Sequence, residues 1–120
     1  MEPIVSRPGE GELHERDDGY RLIRAVTEQI SVIEFAFESL AVDPHVHSDH
    51  VDSFLVLEGE VEFTLGDTTV VLGPGSFVSV PIGVRHGFRS AGGPAKLLNF
   101  HAPDAGFVDS IRATSAGSSS

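Results

Sequence analysis

The sequence predicts an all-β barrel in a single domain, with one short helix near the C terminus. Short segments in which apolar and polar residues alternate recur along most of the chain, and turns containing glycine or proline separate them. Such spacing is typical of β-sandwiches and closed barrels. A length of 120 residues with 40% hydrophobic residues suffices for one core and not for two.

The first elements are a short strand, a loop and a longer strand. Residues 8–19 are rich in glycine and acidic residues and lack periodicity, so we expect them to form the loop that leads into the strand 20–26. In segment 31–40, isoleucine and phenylalanine alternate with glutamate, which predicts a half-buried strand. The same alternation predicts strands in segments 53–58, 60–65, 68–72, 76–80, 85–90 and 95–101.

The only segment with helical spacing lies near the C terminus. Residues 104–113 hold apolar side chains at helical intervals, and Asp104 can cap the helix, so we expect a short helix on the outside of the barrel. The segment 114–120 consists of small and polar residues, which predicts a disordered tail. The single barrel domain is therefore assigned to residues 1–113.

The composition restricts the classes of partner and of site. With 18 acidic and 8 basic residues, the formal net charge is −10, so a surface that neutralises nucleic-acid phosphates is not expected. The N terminus resembles no signal peptide and no long apolar segment follows, so we expect a cytoplasmic protein that does not contact membranes. Because cysteine is absent, a metal site would use histidine and carboxylate ligands.

Histidines are concentrated in the stretch 45–52, HVHSDHVD, directly before a predicted strand. Residues two apart in a strand share a face, so His45 and His47 project to the same side. His86 begins another strand, where it shares a face with Phe88 while arginines take the opposite face, so we expect it to point inward. Imidazoles from separate strands, joined by a carboxylate, suit a divalent transition metal such as Fe, Mn, Ni, Cu or Zn.

These residues fall into two motifs that resemble those of the small single-domain cupins. At the positions of the first family motif, Gly, His-x-His, Glu and Gly, the sequence has Ser39, His45, His47, Asp52 and Gly59. At those of the second, Gly, Pro-x-Gly, His and Asn, it has Gly75, Pro81, Gly83, His86 and Ser90. The chain departs from the family at Ser39, Asp52 and Ser90. The resemblance covers residues 31–101, and both ends look like those of quercetin-dioxygenase-like cupins.

The resemblance implies a jelly-roll barrel, also called a double-stranded β-helix, whose interior holds one divalent metal ion. The residues at the ligand positions are His45, His47, Asp52 and His86. Asp52 is one methylene shorter than the usual glutamate, so a metal-free cupin whose histidines line a ligand pocket remains an alternative. His50 has the same strand parity as Asp52, so either residue could supply the fourth ligand.

Two functions from different classes remain open at this point. In the first, the protein is a metal-dependent oxygenase or related enzyme acting on a small enol, phenol or diketone, with Asp52 as a weak ligand or as the catalytic general base. In the second, it binds or senses a small ligand without turnover, with or without a metal. The fold alone favours neither, since one fold hosts many functions.

Residues facing the barrel interior are candidates for contact with that ligand. In segment 95–101 we expect Lys96 to face water, which turns Asn99 and His101 inward. Aromatic residues could line the same cavity or belong to the ordinary core. The predicted substrate-binding residues are His50, Phe54, Phe63, Phe77, Phe88, Asn99 and His101.

Two segments, VIEFAF at 32–37 and LLNF at 97–100, carry apolar residues on both strand faces. One barrel interior needs only one of those faces, so we expect the other to form a homodimer interface. Coverage of that face by the helix and the N-terminal strand is the alternative.

Overall fold

Two antiparallel sheets make up most of the chain. The computed structural model describes residues 2–115. Its elements in chain order are β1 (Glu12–Arg16), β2 (Gly19–Val26), β3 (Ser31–Phe37), β4 (Ala41–His45), β5 (Val51–Glu58), β6 (Val61–Leu65), β7 (Thr68–Leu72), β8 (Phe77–Val80), β9 (His86–Ser90), β10 (Ala95–Ala102) and α1 (Phe107–Ser115). Every predicted strand from residue 20 onward is confirmed, with small shifts of its ends.

The sheets have the strand orders β1-β2-β3-β10-β5-β8 and β4-β9-β6-β7, and their inner faces enclose one core. Aromatic side chains join the two layers: the ring of Phe54 on β5 lies 5.2 Å from that of Phe63 on β6 and 5.4 Å from that of Phe88 on β9. Each fully buried phenylalanine contributes roughly 2 kcal/mol through apolar burial. The predicted all-β jelly-roll architecture is confirmed.

Two strands are absent from the sequence-based prediction. Strand β1 lies inside the predicted loop 8–19 and pairs with β2, whereas residues 2–7 do not form the short first strand that we expected. Strand β4 ends at His45, the first residue of the histidine-rich stretch, and pairs with β9. Both lie at sheet edges, where one hydrogen-bonding side is free and few side chains need to be apolar. The hydrophobic alternation that reveals a strand is therefore weak in both.

The C-terminal helix α1 is confirmed, but its position differs from the prediction. Backbone N–H of Val108 donates to Asp104 Oδ1 at 3.1 Å, which is the expected cap. Val108 and Ile111 join the core cluster of Ile23, so α1 packs on the faces of β1 and β2 that continue the barrel interior, not on the outside. Helix α1 covers this end of the barrel and removes its apolar side chains from water.

Helix α1 includes residues 114 and 115, which we had assigned to the tail. The rest of the predicted tail, 116–120, lies outside the described residues. Across residues 2–115, no helix is long and apolar enough to cross a membrane.

The outer face of the larger sheet is partly covered. Glu34, expected to face water, is buried because Arg24 of β2 binds its carboxylate at 2.9 Å and also donates to the backbone oxygen of Ser6 at 2.8 Å. Farther along the same face, Phe77 of β8 lies against Phe100 of β10 and remains 59% exposed. The N-terminal segment thus covers one side of the face and leaves the other open. The homodimer stays a prediction.

Candidate metal centre

Four side chains with metal-ligating atoms converge at one end of the barrel. The ligand atoms of His45, His47, Asp52 and His86 all lie within 4.8 Å of one another. Ligand atoms that bind one ion at about 2.1 Å lie at most about 4.2 Å apart, so the cluster needs only a small contraction to hold an ion. The structure therefore brings together the four residues at the family's ligand positions.

The close approach of β4 to β9 places His45 beside His86. The two histidines are register partners, and their rings lie 4.7 Å apart. Between His86 and Phe88, Gly87 has no side chain; a Cβ atom there would lie 2.6 Å from the carbonyl oxygen of Val42 on β4. The register also shifts between Val42 and His45, which is tolerated because β4 is an edge strand. Gly87 thus allows the two imidazoles to meet.

Backbone carbonyls orient two of the imidazoles. Nδ1 of His45 lies 2.8 Å from the carbonyl oxygen of Asp43, and Nδ1 of His86 lies 2.9 Å from that of Val84. A carbonyl only accepts, so each Nδ1 carries the proton, and Nε2 is the atom that can bind a metal. The backbone N–H of Gly83 donates to the carbonyl oxygen of His47 at 2.9 Å, which holds the third histidine in place. This donor set fits a divalent transition metal.

Asp52 reaches the cluster despite its short side chain. Its Oδ2 lies 2.9 Å from Nε2 of His86 and 3.4 Å from Nε2 of His47. Its Oδ1 accepts a hydrogen bond of 2.6 Å from Asn99 Nδ2 and lies 3.3 Å from Nε2 of His101. The two oxygens therefore have separate surroundings, and Oδ2 is the one that can act as a metal ligand.

Burial and hydrogen bonding set the charges in the metal-free site. Burial raises the pKa of Asp52, but the hydrogen bonds from His86 and Asn99 and the favourable electrostatic interaction with the His101 side chain together outweigh burial and lower the pKa overall. Burial also opposes protonation of His86, yet the bonds to Asp52 and to the Val84 carbonyl raise its pKa on balance. For His101, burial dominates and lowers the pKa to about 4. Asp52 is thus an anion beside a neutral His101.

His50 lies beside the cluster and not in it. Its Nδ1 lies 2.8 Å from Asp49 Oδ1, and its ring centre lies 4.0 Å from that of His47 and 5.0 Å from that of His101. Burial, followed by the charge of His50, lowers the pKa of His47. Of the two alternatives for the fourth ligand, the geometry favours Asp52, because its carboxylate and not the His50 ring points at the other donors.

A cavity of about 110 Å³ adjoins the cluster. Among the predicted substrate-binding residues, Phe54, Phe88, Asn99 and His101 line it. The inward orientation of Asn99 and His101 is confirmed, whereas their contact with a substrate stays a prediction.

Two of the predicted aromatic residues lie elsewhere. Phe63 is fully buried behind Phe54, so it belongs to the core and not to the cavity lining. Phe77 lies on the outer sheet face, and its prediction as an interior residue is wrong. Residue 77 begins a short edge strand in which the alternate residues Val78 and Val80 point inward, so the parity is opposite to the one that we assumed.

Other residues line the cavity without having been predicted to do so. Phe35 was recognisable from its inward parity in segment 31–40, since it shares a face with Ile33. Phe107 had no such signal, because only the docking of α1 brings its ring to within 4.1 Å of His101 and 6.1 Å of Phe35. Val42 belongs to β4, which the sequence analysis did not identify as a strand.

A larger groove of about 330 Å³ runs across β4, β9 and β6, and its lining includes the polar side chains of Asp43, Glu62 and Arg89. None of the four candidate metal ligands lines it. We therefore assign the site to the smaller cavity, where the donor atoms are.

Comparisons with known proteins agree with this geometry. The sequence profile of the cupin domain family matches residues 32–101. Over 56 residues, 47% of this chain, the sequence is 32% identical to quercetin 2,3-dioxygenase of Bacillus subtilis (strain 168), and the match covers 17% of that enzyme. This chain therefore corresponds to a small part of the enzyme.

Solved structures share the fold. KdgF from Halomonas sp. has a TM-score of 0.73 at 21% identity, over 82% of this chain and 93% of that one. TT1209 from Thermus thermophilus has a TM-score of 0.71 at 25% identity, over 84% of this chain and 98% of that one. With the family profile matching more than half of its length and the barrel and histidine cluster in place, the chain belongs to the cupin domain family.

Proposed function

We propose that this cupin is a metal-dependent enzyme of the oxygenase type that acts on a small enol, phenol or diketone. The observation that carries the proposal is the convergence of His45, His47, Asp52 and His86 beside an apolar cavity. Such a site has ligands on one side of the ion and room for a substrate on the other.

The residues of the site have two roles: the histidines and Asp52 would hold the ion, and the aromatic residues would exclude water. His45, His47 and His86 would hold it through Nε2, and the negative charge of Asp52 would offset part of the ionic charge inside the barrel. When bound, the ion would supply Lewis acidity and a site for substrate oxygens. Phe54 and Phe107 line the cavity with apolar surface and would exclude water around a bound substrate.

The size of the cavity limits the substrate. Ligand pockets for drug-sized molecules usually enclose about 300–1,000 Å³, whereas this cavity measures about 110 Å³. A substrate with a single ring, or a short open-chain diketone, suits that volume. Quercetin, which has three rings, would require Phe107 and helix α1 to move.

A second candidate function is that of a binding protein without turnover. The lowered pKa of Asp52 favours this function. General bases work best with a pKa near the operating pH, yet the pKa of Asp52 lies below its ordinary value because hydrogen bonds and His101 outweigh burial. Among the cavity-lining residues of the described chain, Asp52 has the one carboxylate. A substrate whose own hydroxyl is acidic would not need a strong base. For this reason we place the enzymatic function ahead of the binding function.

Reconstitution separates the two functions. The purified protein is stripped, loaded in turn with Fe, Mn, Ni, Cu or Zn, and assayed for oxygen consumption with catechols, short β-diketones and flavonols. Turnover that is absent in His86→Ala supports the enzyme. Tight binding of a panel member without oxygen uptake supports the binding protein. Wild-type protein that retains no transition metal after reconstitution would overturn the metal centre itself.

A further inference from the structure

Aromatic residues follow two of the candidate metal ligands along their strands. On β5, Phe54 comes two positions after Asp52, and on β9, Phe88 comes two positions after His86. Residues two apart in a strand share a face and lie about 7 Å apart along the strand. The rings of Phe54 and Phe88, which we call the aromatic layer, lie 5.4 Å from each other. A ligand that binds an ion at the cluster and extends into the cavity therefore meets this layer.

Apolar side chains also form the sides of the cavity. Phe35 of β3, Val42 of β4 and Phe107 of α1 line it. The rings of Phe35 and Phe107 lie 6.1 Å apart, with an angle of 16° between their planes. Phe35, Phe54 and Phe88 are only 7%, 2% and 8% exposed, so a ligand group beside them would be removed from bulk water.

No lysine or arginine is among the cavity-lining residues of the described chain. The guanidinium carbon of Arg21 lies 4.7 Å from the centre of the Phe35 ring, yet Arg21 does not line the cavity. Asn99, a polar lining residue, already donates from its amide nitrogen to Asp52 and to the carbonyl oxygen of Ser53. Its amide oxygen accepts hydrogen bonds and does not donate them. A carboxylate placed in this part of the cavity would therefore lose its hydration without gaining a cation.

We propose that the ligand of this metal centre is uncharged and apolar at the end remote from its metal-binding oxygens. The inference rests on the proposed function, because it takes the metal centre as the place where the ligand is held. It narrows the ligand class from enols, phenols and diketones in general to members with a hydrocarbon or other neutral remote group. Members that carry a remote carboxylate, such as dihydroxybenzoates, are excluded from the class.

Calorimetry on the Zn-loaded protein, without oxygen, tests the preference for a neutral remote end. The compounds are 3,4-dihydroxyacetophenone, 3,4-dihydroxybenzamide and 3,4-dihydroxybenzoate. They share the same pair of metal-binding hydroxyls, and their remote groups have equal numbers of heavy atoms but are a methyl ketone, an amide and a carboxylate. Each affinity is divided by that of the same compound for free Zn²⁺, because the acidity of the hydroxyls differs among the three. We expect wild-type protein to bind the ketone at least about tenfold more tightly than the benzoate, with the amide between them.

Lysine variants assign the preference to the cavity walls. Val42→Lys and Phe107→Lys each place a cation at a half-buried lining position, where the lysine stem can pack on apolar surface. The preference for the ketone over the benzoate should fall about tenfold in at least one of them, because the carboxylate gains a partner. Val42→Met and Phe107→Met are the matched controls and should keep the wild-type ratio. Zinc content should be the same in all four variants, since neither position belongs to the cluster.

Two results would overturn the inference and leave the metal centre intact. One is equal corrected affinity of the wild-type protein for the ketone and the benzoate. The other is a wild-type ratio that is retained in both lysine variants. Failure of the Zn-loaded protein to bind any of the three compounds or catechol itself would overturn the proposed function together with the inference.

Discussion

Asn99 donates a hydrogen bond of 2.6 Å to Oδ1 of Asp52, and so directs the other carboxylate oxygen toward the histidines. The same amide nitrogen donates at 3.0 Å to the carbonyl oxygen of Ser53, which fixes the orientation of the Asn99 side chain. Partners that orient a metal-binding carboxylate also tune its affinity for the ion. Asn99 therefore positions the carboxylate of Asp52. The side chain that it positions is one methylene shorter than the glutamate usual in the family.

Asn99→Leu should weaken metal binding by roughly tenfold, because Asp52 loses the contact that orients it. Leucine keeps the branching and the number of heavy atoms of the side chain and removes its donor. Competition with a fluorescent chelator measures the dissociation constant. Lys96→Ala, on the outer face of the same strand, is the control and should not change it. An unchanged constant in Asn99→Leu would contradict a positioning role.

The ligands should not contribute equally to metal retention. Asp52→Ala should weaken retention less than His47→Ala, because water or an outer donor can replace a weak carboxylate ligand, yet it should remove most of any activity. His50→Ala should retain the metal. Elemental analysis of the purified variants gives the occupancies. Full occupancy in Asp52→Ala with loss in His50→Ala would show that His50 is the fourth ligand.

The stability of the metal-free protein should fall as the pH is lowered from about 6.5 to about 4. Burial lowers the pKa of His101 to about 4 in the folded state, whereas a histidine in the unfolded chain has a pKa near 6.5. Between these pH values His101 binds a proton in the unfolded state but not in the folded state, so acidification favours unfolding. Over the whole window the free energy of unfolding should fall by about 3 kcal/mol.

Urea unfolding of wild type and His101→Phe at several pH values isolates this contribution, since the other titrating groups are common to both proteins. The free energy of unfolding of His101→Phe should depend less on pH in this window. Parallel pH profiles for the two proteins would show that the buried neutral His101 does not cause the pH dependence of the free energy of unfolding.

Phe107→Ala should enlarge the cavity at the cost of stability. The ring stacks on Phe35 and covers His101, so its removal should lower the free energy of unfolding by about 2 kcal/mol. Ligands with more than one ring should gain affinity relative to catechol, as measured by calorimetry. Arg112→Ala, on the exposed side of α1, is the control and should leave this ratio unchanged. Equal ratios in Phe107→Ala and wild type would show that Phe107 does not limit ligand size.

Light scattering should give about twice the mass of one chain at micromolar concentration, because the open side of the outer sheet face exposes Phe77 beside Phe100. Phe77→Asp should shift the protein to the monomer by placing a charge in that apolar surface. The substitution leaves the core unchanged, so circular dichroism should be the same. A wild-type monomer would contradict the homodimer.

The sequence by itself determined the barrel and the residues of the candidate metal cluster. Alternation in segments such as 31–40 reports which residues are inside, because strand geometry sends successive side chains to opposite faces. The inward orientation of His86, Asn99 and His101 followed from the same parity and is confirmed. The spacing of the two motifs identified Asp52 as a candidate ligand, although parity alone did not distinguish it from His50.

Only the tertiary structure decided how these residues are used. Asn99 binds Asp52 across two paired strands, and the N-terminal residue of α1, Phe107, lines the cavity because the helix packs at the barrel end. The edge strands β1 and β4 were also not predicted, because backbone pairing with a neighbouring strand stabilises them and their sequences show little hydrophobic alternation. Local periodicity records the face on which a side chain lies. Which distant group it meets depends on strand register, on sheet order and on the close approach at Gly87, because those relationships join residues that are far apart in the chain.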